Sequence, residues 1–153
     1  MRGIVEAAAG RHDVVAFAPA SLPGKRLVLY RVQVPARTTT QVTGLYDDPS
    51  SPWSSGHVTW RRVQCRGGAL EVALRSDTTL FKGVTQTLAI TGTTTPLTRH
   101  LLPTDQPTLR LPLTPVKGVC RVDFRISPTR SPGASDPRQL GLHFDVLRYV
   151  RPK

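Results

Sequence analysis

Between residues 119 and 127 the chain reads VCRVDFRIS, with Val122, Phe124 and Ile126 at every second position. From residue 142 the run LHFDVLRYV repeats the alternation. Leu142, Phe144, Val146 and, by extension, Arg148 fall on one side, and His143, Asp145, Leu147 and Tyr149 on the other. Side chains that alternate with period two lie on opposite faces of a strand, so these runs predict sheet with one covered face. The stretch between them, PTRSPGASDPRQLG, is turn-rich, with Asp136 and Arg138 at its exit.

The same pattern extends back along the chain. Strand-like runs cover residues 27–34, 39–46, 57–65, 69–75, 85–91, 96–101, 108–113, 119–127 and 140–150. Between them stand DDPSSPWSSG, RGG, SDTT, TGTTTP, LPTDQP and TPVKG, all rich in residues that stop strands and build turns. Regular spacing of short strands predicts an all-β fold, an antiparallel β-sandwich of jelly-roll-like form. No repeat of propeller or solenoid period is visible. The beginning differs. Residues 3–9 have the composition of a short helix ending near Gly10, residues 14–18 that of a short strand, and PASLPGKR closes the segment. The expected organisation is an N-terminal extension over 1–25, irregular or helical in part, and a sandwich domain over 26–153.

A chain of 153 residues supports one domain with a real core, burying about 70% of its unfolded surface. Fourteen prolines and abundant threonine disfavour helix and favour strands and turns. No apolar run nears the roughly 20 residues that cross a bilayer as a helix, so no transmembrane segment is expected. The net charge of +11 comes from seventeen Arg and four Lys against ten acids. An excess of that size points to nucleic acid, an anionic lipid surface or an acidic polysaccharide. GC-rich coding accounts for Arg over Lys but not for the shortage of acids. The cations are dispersed, with pairs such as Arg61 and Arg62 but no block of five.

Cys65 and Cys120 each end or enter a strand, and two readings stand. They form a disulfide, which implies an oxidising compartment, or they remain buried thiols that act as small hydrophobes. The N-terminus lacks the apolar core of a signal peptide, since Glu6, Gly10, Arg11, His12 and Asp13 interrupt it. An oxidised chain is therefore expected to be a piece of a longer translocated protein.

The chemistry-bearing residues are sparse. There is no GxSxG, HExxH, phosphate-binding glycine loop or calcium loop, so the chain is not expected to be an enzyme, and no cofactor or metal is expected. His143 and Asp145 share a strand face by spacing, as an acid–base pair would, but that spacing is commonplace on exposed strands. Tyr46, Trp53 and Trp60 surround the loop DDPSSPWSSGHVTW. An indole in such a loop can stack on the C–H face of a sugar, with Asp47, Asp48, His57 and Arg61 bonding its hydroxyls. The competing reading makes Trp60 a core residue, Trp53 a plug on the end of the sandwich, and Asp47 and Asp48 turn-formers before Pro49. Asp136 and Arg138, separated by a proline, can latch the loop exit by a charge-assisted bond, or present the arginine to a ligand.

Two stretches resemble a known domain. GLYDD and SSGHVTWRRVQCRGGALEVAL resemble the opening, and VCRVDFRISPTRSPGASDPRQLGLHFDVLRY the ending, of an accessory β-sandwich domain appended to bacterial glycosyltransferases and related cell-envelope proteins. The resemblance covers about residues 27–151 and includes Asp136-x-Arg138-x-Leu140-Gly141. It implies a jelly-roll-like sandwich outside the cytoplasmic membrane, with Cys65 and Cys120 where a disulfide would fit. HDVVAFAPASLPGKR resembles a strand and turn of a glycosyltransferase fold, too short to carry a donor-sugar site. The expectation is a non-catalytic module linked to cell-envelope glycan assembly, with a glycan or a membrane glycosyltransferase as partner. The alternative is a basic polyanion- or nucleic-acid-binding protein, whose affinity would collapse with salt.

Overall fold

The computed structural model describes residues 12–17, 27–32, 39–46 and 52–152, the first two segments as backbone strands. The expected helix over 3–9 lies outside the described residues, and among those described there is no helix. Ten strands follow in order: β1 (His12–Phe17), β2 (Leu27–Val32), β3 (Thr40–Leu45), β4 (Ser54–Val63), β5 (Ala69–Arg75), β6 (Gln86–Thr91), β7 (Leu97–Leu101), β8 (Thr108–Pro112), β9 (Val119–Ser127) and β10 (His143–Val150). β1 and β2 pair with one another, across the boundary expected at residue 25. The other eight form two antiparallel sheets, one ordered β3-β4-β9-β6-β7 and one ordered β10-β5-β8. This is the expected β-sandwich.

The alternation explains why these runs are strands and which face they cover. Val58 and Trp60 of β4, Leu88 and Ile90 of β6, and Val122, Phe124 and Ile126 of β9 turn inward from the larger sheet. Leu70, Val72 and Leu74 of β5, Leu111 of β8 and Phe144 of β10 meet them from the smaller one. Phe124 and Phe144 touch edge to face across the middle, ring centres 5.3 Å apart.

The disulfide joins Cys65, just past β4, to Cys120 at the start of β9, with the Cα atoms 5.6 Å apart. β4 and β9 are neighbours, and Arg62 lies opposite Cys120 in their register. Pairing of the strands therefore brings the two sulfurs together.

Two expectations about β10 need correction. Period-two spacing groups Val146 with Phe144, and His143 with Asp145. A bulge after Phe144 leaves Asp145 without an opposite residue, so the register resumes with Val146 against Ala73. One inserted residue exchanges the faces of everything beyond it. Phe144 points into the core, Val146 is 42% exposed, and Leu147 and Tyr149 pack inward. His143 is 5% exposed while Asp145 lies at the surface bonded to Arg75, so the two do not share a face.

Candidate loop-end site

β4 begins at Ser54, three residues before the start that the sequence pattern places at residue 57. The reason is hydrogen bonding that the local sequence does not display. Pro52 accepts a bond from the Phe144 N–H (3.0 Å), and Trp53 forms an isolated bridge with His143. Ser54 is buried and accepts from Gly141 N–H at its carbonyl (2.8 Å) and from Leu142 N–H at Oγ (2.7 Å). The Trp53 carbonyl in turn receives Tyr46 N–H at 2.8 Å. Gly44 makes this entry possible: its φ is +86°, and a Cβ there would run into the His57 carbonyl.

The side chains at this end of the sandwich consequently have few degrees of freedom. The half-buried Trp53 indole lies against the buried His143 ring, centroids 3.7 Å apart and tilted by 40°. Tyr46 hydroxyl donates to the Gln139 carbonyl (3.4 Å) and accepts from the Gln139 N–H (3.3 Å). Arg138 places its guanidinium 5.6 Å from the Tyr46 ring centre, within cation–π range. Its Nε donates to both oxygens of Asp136 (2.9 and 3.0 Å), its backbone N–H to Oδ1 (3.0 Å), and its terminal nitrogen to Oδ2. Arg138 thereby holds the Asp136 carboxyl down at about 2.

The other candidates stand elsewhere. Asp47 and Asp48 lie outside the described residues. Trp60 is 1% exposed and belongs to the core. His57 and Arg61 alternate with Val58 and Trp60, so they sit on the outer face of the five-stranded sheet rather than beside Trp53. There Asp123 collects bonds from Arg121 (2.7 and 2.9 Å), Thr59 (2.6 Å) and the His57 ring (3.1 Å). Arg61 lies opposite Arg121 in the β4–β9 register. The sequence reading missed His143 as the ring under Trp53 and Gln139 as the partner of Tyr46. Their separations of 90 and 93 residues leave no local signal.

The Asp123 cluster makes acid stability predictable. Bonds from Arg121 above all, then from Thr59 and His57, hold its carboxyl at about 2 against the opposing cost of burial. A carboxyl whose value is depressed by folding contributes fully above its unfolded value near 4. That contribution is lost as the pH falls through the folded value. Urea midpoints should thus decline from about pH 4 to about pH 2, and more shallowly in Asp123→Asn. Equal slopes in both proteins would show that this carboxylate contributes nothing to acid stability.

Comparison of the chain with protein-family models, with curated proteins and with solved structures finds no significant match in any of the three.

Proposed function

We propose that this chain is a non-catalytic carbohydrate-binding β-sandwich module of cell-envelope glycan assembly, using the loop end around Trp53. The observation that carries the reading is the half-buried indole of Trp53, backed by His143 in a neighbourhood also held by Tyr46, Gln139 and Arg138. An aromatic surface held still before the ligand arrives loses little freedom on binding. It can stack on sugar C–H groups while its polar neighbours bond hydroxyls. The disulfide supports the oxidising location that the reading needs. A shallow polar site exchanges its hydrogen bonds with water, so affinity is expected to be weak, about 1 mM.

The test uses intrinsic fluorescence. Trp53 and Trp60 are the only tryptophans, and Trp60 is buried, so a sugar-dependent change reports on Trp53. Neutral envelope oligosaccharides should shift the emission saturably, and Trp53→Ala should weaken binding at least tenfold by calorimetry with the fold retained. Unchanged affinity in that variant would overturn the loop-end site. Glycan-independent capture by a membrane glycosyltransferase would make the same surface a docking face instead.

A polyanion-binding reading has one observation in its favour. Arg61 and Arg125 project from the outer face of the five-stranded sheet beside Arg121, and neither has an ion pair among the described residues. That reading requires heparin retention that falls steeply with salt.

A further inference from the structure

The alternation that turns Val58, Trp60, Val122 and Phe124 inward leaves the other side of the five-stranded sheet to polar side chains. Strand register sets them in rows. Arg61 of β4 stands opposite Arg121 of β9, and His57 of β4 opposite Arg125 of β9. Between these two rows runs a third, Thr43, Thr59, Asp123 and Thr91, contributed by β3, β4, β9 and β6.

The charge on this face is one-sided. Asp123 is the only acid in the five strands, and it is occupied by Arg121, Thr59 and His57. Arg61 and Arg125 are exposed and have no ion pair among the described residues. Like charges directly opposite one another in a sheet repel, so Arg61 beside Arg121 gains from an anion seated between them.

The spacing of the rows selects the anion. Arg121 and Arg125 are four residues apart on β9, about 13 Å of extended strand. Each strand of duplex DNA carries a phosphate at about every 3.4 Å of axis, so most of its phosphates would cross this face over the threonine row without a cation. No aromatic ring is offered to bases either, since Trp60 and Phe124, the only aromatics of these five strands, lie in the core. A polymer with its acids far apart and hydroxyls between them matches both features. Guanidinium groups pair with the oxygens of its carboxylates, and threonine hydroxyls exchange bonds with the sugar hydroxyls.

We infer that the outer face of the five-stranded sheet binds an acidic glycan laid along β4 and β9. One carboxylate sits at Arg61 and Arg121, the next at Arg125, and neutral hydroxyls meet the threonine row. The inference rests on the polyanion reading and names its ligand; the face is separate from the Trp53 loop end.

A hyaluronate octasaccharide, with a carboxylate on alternate sugars, should move the backbone amide resonances of Arg61 and Arg125 saturably when titrated into the whole chain. R61E/R125E should weaken that binding at least tenfold. K82E/R99E, an equal charge change at exposed positions off this face, should alter it less than twofold. Thermal midpoints check that both variants fold. Affinity should fall with salt as expected for about two neutralised charges. Equal weakening by the two double variants, or no saturable shift, would overturn the inference. So would tighter binding of duplex DNA, or of phosphatidylserine vesicles, at the same ionic strength. Heparin retention without hyaluronate binding sinks the acidic glycan and leaves the polyanion reading standing, whereas no retention on heparin sinks both. Trp53→Ala should leave hyaluronate affinity unchanged; its loss there would move the acidic glycan to the loop end and overturn this assignment.

Discussion

Replacing Cys65 and Cys120 together by alanine is expected to lower the unfolding free energy by about 4 kcal/mol. The bridge spans a sequence separation of 55 residues, and closing a loop of that length removes unfolded-chain entropy equivalent to roughly that amount. The figure is the entropic one because the native strands need no help to sit together. β4 and β9 are already hydrogen-bonded over His57–Val63 and Val119–Arg125. Both cysteines are buried, so the alanines also leave a small void in the packed interior. A domain of this size has a total stability of about 5–15 kcal/mol, which makes the loss a large share of it. Urea unfolding of the double variant, and of the unaltered protein under reductant, checks this. A loss below about 1 kcal/mol in both would show that the cross-link hardly restricts the unfolded chain.

Phe124→Ala should cost a comparable amount, about 3–5 kcal/mol. Phe124 is fully buried in β9, the central strand of the larger sheet, and it meets Phe144 of the smaller sheet edge to face. Removing the ring deletes contacts on both layers, and strands hydrogen-bonded on either side cannot move in to fill the space. The urea midpoint should fall while the slope with denaturant stays the same. Phe144→Leu, which keeps most of the volume at the opposing position, should cost distinctly less. If the two variants proved equal, the cavity argument would fail, and the edge-to-face geometry would account for the effect instead.

Much of the fold is legible in the residues themselves. Val122, Phe124 and Ile126 announce the inward face of β9, and Val58 and Trp60 that of β4, because burial repeats every second residue in an undisturbed strand. The turns are equally plain from their Gly, Pro, Asp, Ser and Thr clusters. β10 is the exception. Leu142 and Phe144 extrapolate to Val146 by simple alternation, yet Val146 is outside and Leu147 inside. Nothing local marks Asp145 as the extra residue; the bulge arises from the match between β10 and the face of β5.

The candidate site was legible only in part. Asp136 and Arg138 are two residues apart, and their pairing is a short-range matter of one proline and one turn. Trp53 stood out as an aromatic in a polar loop, but the ring beneath it belongs to a strand 90 residues away. The stacking of Arg62 on Tyr149 at the other end gives no sequence signal at all. Arg62 resembles Arg61 in a doublet, though one is buried over Tyr149 and its neighbour projects from the opposite face.

By itself, the sequence determined that this protein is built of strands, roughly where each begins, and, in the strands without a bulge, which residues face the core. Those properties follow from side-chain alternation and turn chemistry, which act over a few residues. Tertiary structure alone decided which strands became neighbours, where register slipped, and which distant side chains met at the two ends. Such meetings depend on hydrogen-bond partners chosen across the whole chain, so Trp53 on His143 and Arg62 on Tyr149 exist only once both sheets have closed on each other.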